Sequence, residues 1–163
     1  MRILFLGDVV GISGCSKIMN NLLSQIKIKK IDFVIVNGEN AASSGVGLTQ
    51  EICEDFFKCG VNVITTGNHV WDQKEIMSFI EKEKRLLRPK NLFEPAPGKG
   101  FEVFNSSNGY RVGVLNLMGN VFMKKCDDVF KVSKKFLEKY ELKKDYDFLV
   151  VDFHGEITSE KNA

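Results

Sequence analysis

Four short apolar runs predict buried strands, because each is rich in Ile, Val, Leu and Phe and shows little polar alternation. They cover residues 3–6, 33–36, 61–64 and 148–151. Segments in which apolar residues recur at helical spacing lie between them. Ile18, Leu22 and Ile26 recur at four-residue steps and predict a helix from about residue 16 to residue 29. Further helices are predicted from the Thr49 cap to Gly60, over 74–83 and over 128–140. Strands alternating with helices indicate an α/β fold.

A second type of strand signal lies in the middle of the chain. Residues 101–104 and 110–117 flank the dipeptide Asn108-Gly109, and both of its residues tolerate the positive φ of a tight hairpin turn. Since a hairpin joins antiparallel strands, we expect the sheet to become mixed, with helices flanking it.

Polar residues follow the apolar runs at four points. Because the carboxyl ends of parallel strands share one edge of an open sheet, we expect these residues to meet there. They are Asp8, then Glu39 and Asn40, then Asn68 and His69, and finally His154.

Carboxylate, amide and imidazole groups form a mixed oxygen and nitrogen ligand set. Such a set suits Mn, Fe or Zn better than a thiolate metal or an all-oxygen calcium site. Each residue alone also has a structural explanation: Asp8 could cap a helix, and His154 could be a hydrogen-bonded core histidine. Their recurrence at four strand ends favours a metal site, in which a bridging carboxylate and two ions about 3.5–4 Å apart can hold a hydroxide for attack on phosphorus.

Composition narrows the class of protein without identifying it. The 163 residues, 44% of them hydrophobic and 27% charged, suit one soluble globular domain over residues 1–163. A net charge of +2 gives no argument for nucleic acid or membrane, so a role with RNA is not indicated by charge. Four cysteines without a CxxC pair, and a chain that begins on a strand, favour the cytoplasm. No apolar run approaches the roughly 20 residues of a membrane span.

Seven sequence blocks resemble, in order along the whole chain, the YmdB-like branch of the calcineurin-like metallophosphoesterases. The blocks are GDVVG (7–11), GEN (38–40), GVG (45–47), GNHVWD (67–72), LRPKN (87–91), NLMG (116–119) and DFHGEITSEK (152–161). The resemblance implies an α/β sandwich and a phosphodiesterase that hydrolyses 2′,3′-cyclic nucleotides with two divalent metal ions, Fe, Mn or Zn. The substrate is therefore expected to be a small cyclic nucleotide or another phosphodiester.

The resemblance also implies a role for each site residue. Asp8 and Asn40 would bind one metal ion, Glu39 would bridge both, and Asn68 and His154 would bind the second. His69 would stay off the metals, steady the phosphoryl group and protonate the leaving oxygen, a general-acid role worth typically 10²–10⁴-fold.

Two departures from the family pattern affect these expectations. Cys15 stands where the branch usually has arginine. The family continues to a Gly-Thr-His-Thr-His block whose histidines complete the metal shells, whereas this sequence ends at Ala163 and contains His69 and His154 alone. We therefore expect the amino-terminal part of the enzyme, with an uncovered sheet edge or face that favours self-association. The alternatives are a non-catalytic module that binds a nucleotide or phosphate, and half of an assembly that another polypeptide completes.

Overall fold

The computed structural model describes residues 1–93 and 95–163 and contains six strands and five helices in this part of the chain. In chain order these elements are β1 (Ile3–Leu6), α1 (Gly11–Lys29), β2 (Phe33–Asn37), α2 (Gln50–Lys58), β3 (Val63–Thr65), α3 (Ile76–Ile80), β4 (Phe101–Asn105), β5 (Arg111–Met118), α4 (Val129–Lys139), β6 (Phe148–His154) and α5 (Thr158–Lys161).

The strands form two three-stranded sheets. The first has the order β1-β2-β3 and is parallel throughout. The second has the order β4-β5-β6, with β4 antiparallel and β6 parallel to β5. The expected mixed sheet with flanking helices is confirmed: the mixed pairing is found in the second sheet, which is separate from the parallel one, and the polar strand ends come from both sheets.

Strand β2 shows why the first sheet is apolar on both faces. Phe33 and Ile35 pack with residues of the second sheet. Val34 and Val36, which point the other way, pack against residues of α1 and α2. Because both faces are covered, the strand is a continuous apolar run with no alternation.

The second sheet is covered in the same manner. Val112 and Val114 of β5 face the first sheet. Leu115 and Leu117 pack on the opposite side with Phe136 of α4. The layers therefore run helices, sheet, sheet, helix, and the α/β sandwich expected from the resemblance is confirmed.

Local signals correctly located several element ends. The Thr49 side chain accepts a hydrogen bond from the Ile52 N–H at 3.3 Å and caps α2. Gly109 has a φ of +85° in the turn between β4 and β5, so the hairpin is confirmed. Helix α3 is shorter than predicted, and α1 begins at Gly11, about one turn earlier than predicted. No helix within residues 1–93 and 95–163 is long and apolar enough to cross a membrane.

Candidate metal centre and active site

The loops after β1 and β2 bring Asp8 against Asn40. The Gly11 N–H donates to the Asn40 carbonyl oxygen at 2.8 Å, which joins the start of α1 to the β2 loop. The Asn40 side-chain amide then donates to Asp8 Oδ2 at 2.8 Å and to Glu39 Oε1 at 3.3 Å. Three predicted ligands therefore form one hydrogen-bonded group.

His154 and Asn68 meet the same group from the other side. His154 is the last residue of β6, and its Nε2 lies 2.9 Å from Glu39 Oε1 and 3.0 Å from Asn68 Oδ1. Gly67 permits this approach, because a Cβ there would overlap Glu39 Oε2 and the His154 ring. All five predicted metal ligands are thus brought together around Glu39.

The electrostatics of this cluster centre on the Glu39 side chain, of which 1% is exposed. Burial of the imidazole acts to lower the pKa of His154, but the hydrogen bond to Glu39 and the charges of Glu39, Asp152 and Asp8 outweigh it and raise this pKa. Because a buried carboxylate is costly unless paired, Glu39 is suited to a cationic partner.

Asp152 supports the cluster through a contact that sequence reasoning did not identify. Its Oδ2 accepts a hydrogen bond from the side-chain amide of Asn37 at 2.9 Å, which links β6 to β2 across the two sheets. Burial raises the pKa of Asp152, although hydrogen bonds from Thr65 and Asn37 act to lower it. The sequence contained one indication of this contact: Asn37 is a polar residue that directly ends the apolar strand β2.

The donor atoms fit a divalent metal ion. Asn40 Oδ1 is a buried side-chain oxygen without a hydrogen-bond partner in the described structure, and an orphaned buried acceptor is costly unless a ligand satisfies it. The His154 nitrogen and the Glu39 and Asn68 oxygens also converge as ligands around an ion do. His, Cys, Asp and Glu side chains alone form no three-membered metal group within residues 1–93 and 95–163. The amide oxygens of Asn40 and Asn68 are the further ligand atoms that the cluster offers.

His69 adjoins the cluster, but its ring makes a different contact. Its backbone N–H donates to Glu39 Oε2 at 3.4 Å. Its ring Nδ1 lies 2.5 Å from Asp72 Oδ2, and Lys124 donates to the other Asp72 oxygen at 2.8 Å. The hydrogen bonds from Lys124 and His69 hold the pKa of Asp72 below its ordinary value. This carboxylate fixes the orientation of the His69 ring.

Two further asparagines anchor the loops around the site. Asn116 of β5 exchanges two hydrogen bonds of 2.9 Å with the backbone of Thr66, just before Gly67. Asn91 forms the same type of pair with the backbone of Met118, at 2.7 and 2.9 Å. Both are 0% exposed. The position of Asn116 inside an otherwise apolar strand was the feature of the sequence that could have indicated its structural role.

Cys15 of α1 is buried in the structure. Its thiol donates to the Ala41 carbonyl oxygen at 3.2 Å, and burial raises its pKa. It therefore packs α1 against the β2 loop and supplies no positive charge.

Comparison with known proteins gives the class of this protein. The family model described as "YmdB-like protein" matches residues 4–163, and the chain belongs to that family. It is 43% identical over 164 residues to the 2′,3′-cyclic-nucleotide 2′-phosphodiesterase of Bacillus subtilis (strain 168), covering 100% of this chain and 60% of that relative.

Two crystal structures share this fold. One is a hypothetical protein from Thermus thermophilus, with a TM-score of 0.89 and 36% identity over 99% of this chain and 61% of that one. The other is a novel phosphatase from Mycoplasma pneumoniae, with a TM-score of 0.86 and 39% identity over 99% of this chain and 58% of that one. The chain thus spans about 60% of the length of the proteins it matches.

Proposed function

We propose that this protein is a dinuclear metal-dependent phosphodiesterase that hydrolyses 2′,3′-cyclic nucleotides. The observation that carries this proposal is the cluster that Glu39 forms with the four other predicted ligands, in which Asn40 Oδ1 is buried and has no hydrogen-bond partner within residues 1–93 and 95–163. The substrate class comes from the Bacillus subtilis relative, which is a 2′,3′-cyclic-nucleotide 2′-phosphodiesterase.

Each residue of the cluster has a definite part in this proposal. Asp8 and Asn40 would hold one ion, Asn68 and His154 would hold the other, and Glu39 would serve as a ligand of both. The ligand types suit Fe, Mn or Zn. When bound, the two ions supply Lewis-acid stabilisation of phosphate charge and activation of water.

His69 completes the chemistry as a general acid. The hydrogen bond to Asp72 through Nδ1 leaves Nε2 as the nitrogen that can carry a proton to the leaving oxygen. Asp72, a carboxylate whose pKa is lowered, pairs with Nδ1 and holds the ring in this orientation. The location in the cytoplasm, self-association and a single domain over residues 1–163 remain predictions.

The two histidines provide a matched test. His69→Ala should lower kcat for 2′,3′-cyclic AMP by about 10² to 10⁴-fold without changing metal content, since a general acid is lost and no ligand is. His154→Ala should lower both turnover and metal content. Steady-state kinetics measures turnover, and mass spectrometry measures the bound metal, for the purified protein and both variants.

Three results would argue against this assignment. Loss of metal in His69→Ala would place His69 among the ligands. Unchanged metal content in His154→Ala would remove His154 from them. A wild-type protein that binds nucleotide at this cluster without turnover would instead support the alternative of a binding module.

A further inference from the structure

The β5–α4 loop, residues 119–128, is attached to both histidines of the candidate site. At its start, the Gly119 N–H donates to the His154 carbonyl oxygen at 2.8 Å. Further along, Lys124 reaches Asp72 at 2.8 Å, and Asp72 holds the His69 ring. The loop therefore borders the site between the group assigned to metal binding and the group assigned to proton transfer.

Hydrogen bonds also define the shape of this loop. The Glu160 carboxylate of α5 accepts from the backbone N–H groups of Asn120 and Val121, at 2.8 and 3.2 Å. The Asn120 side chain donates to the Asp127 carbonyl oxygen at 3.1 Å. Glu160 thus holds the first residues of the loop, and the bond from Asn120 to Asp127 joins its two ends.

Phe122 of this loop is unusual in both its solvent exposure and its backbone conformation. Its side chain is 85% exposed, whereas the exposed Phe130 on α4 reaches 48%. Its φ is +61°, in the left-handed region that a bulky residue rarely occupies. Such backbone conformations cost free energy and concentrate at functional sites. A single exposed Phe would need no explanation, but this one also has a left-handed backbone conformation and belongs to the loop that Lys124 joins to Asp72.

We infer that Phe122 is the platform on which the base of the nucleotide stacks; this inference rests on the function proposed above. If the phosphate binds at the Glu39 cluster, as the proposed function requires, the base extends away from it towards the rim, and the loop that carries Phe122 borders the site through the bond from Lys124 to Asp72. Aromatic stacking accepts every base, because each base has a π face. The site should therefore accept several nucleosides and use the base mainly for affinity.

Steady-state kinetics of the metal-loaded protein tests the inference. Phe122→Ala should raise KM for 2′,3′-cyclic AMP by about fivefold to a hundredfold, the range of one stacking contact, with kcat within about twofold. Phe122→Trp should restore the KM. Ala and Trp both carry a Cβ, so the backbone strain at this position is matched among the variants.

Two controls separate stacking from a general effect on the loop. The first is 1-O-methylribose 2′,3′-cyclic phosphate, which lacks the base, and its KM should not change in Phe122→Ala. The second is Phe130→Ala, which removes another exposed aromatic ring and should change neither KM. An equal rise in KM for both substrates in Phe122→Ala would overturn the inference, as would an unchanged KM for 2′,3′-cyclic AMP.

A binding measurement decides the same question without turnover. The fluorescence of 2-aminopurine riboside 2′,3′-cyclic phosphate should be quenched on saturating wild-type protein, because its base stacks, and much less on Phe122→Ala. If the wild-type protein quenches the fluorescence but shows no turnover, the proposed function is refuted and the stacking contact is retained. Turnover with equal quenching by both proteins, or no quenching by wild type, would refute the stacking contact.

Discussion

Strands β2 and β6 both deliver site residues, but they are held in different ways. Strand β2 pairs with β1 on one side and β3 on the other, and all of its residues are buried. Strand β6 pairs with β5 in the described part of the chain, and its Phe148 and Val151 are 37% and 46% exposed.

This difference shows how the two halves of the site are positioned. The core itself positions Glu39 and Asn40, which follow β2. His154 depends on one strand pairing and on polar contacts that cross between the sheets, from Asn37 to Asp152 and from Glu39 to His154. The β2 half should therefore tolerate few changes of any kind, and the β6 half should respond mainly to loss of these polar contacts.

The largest effect is expected at Glu39, where the two halves meet. Glu39→Gln keeps the side-chain shape but removes the charge from the proposed bridging ligand. Turnover should fall by about a thousandfold or more, since a metal ion supplies several kcal/mol of transition-state stabilisation. Kinetics with bound-metal analysis measures this, and Glu51→Gln on the exposed face of α2 is the matched control. Full metal content with normal turnover would contradict the central place of Glu39.

The next largest effect is on the free energy of unfolding, and it is expected to differ when the same Val→Ala substitution is made in β2 and in β6. Val34→Ala should lower the free energy of unfolding by about 2 kcal/mol or more, because two buried methyl groups are lost and a cavity remains. Val151→Ala should cost less than about 1 kcal/mol, because the side chain is 46% exposed. Urea unfolding measures both values. Equal costs would mean that β6 is covered as fully as β2.

A smaller effect is expected from Asn37→Ala, which removes the contact between the sheets. The variant should lose about 1–2 kcal/mol of unfolding free energy, because the partly buried Asp152 carboxyl loses a donor. The exposed Asn105→Ala on β4 serves as control in the same urea experiment. If both variants are equally stable, the polar contact does not help to hold β6.

The smallest effect concerns Lys124 and Asp72, half-exposed residues at the rim of the site. Lys124→Met should cost less than about 1 kcal/mol at pH 7, as surface ion pairs do. The pKa of Asp72 is lowered in the folded protein, so the contribution is present above the unfolded pKa near 3.9 and is lost as pH falls through the folded value.

The measurement for this pair is the unfolding free energy of both proteins as a function of pH. The difference between wild type and Lys124→Met should shrink in acid, whereas Lys131→Met, on the exposed surface of α4, should show no such trend. A difference that is constant with pH would assign the effect of Lys124 to packing alone.

The sequence by itself was sufficient where short-range chemistry decides the outcome. The apolar run of β2, the Thr49 cap of α2 and the Asn108-Gly109 turn each depend on neighbouring residues and were located correctly. The set of candidate ligands was also predicted from strand ends and motifs, and the structure brings all five together.

Only the tertiary structure decided the contacts between residues distant in sequence. Asn37 and Asp152 are separated by 115 positions, Thr66 and Asn116 by 50, and Asp72 and Lys124 by 52. The division into two sheets has the same origin, because an apolar strand carries no information about which neighbour it pairs with. The early start of α1 follows from the Gly11 bond to Asn40, a contact that exists only after β1 and β2 have paired. Local patterns therefore determine the elements and the residue types of the site, and packing of the two sheets determines how those residues are joined.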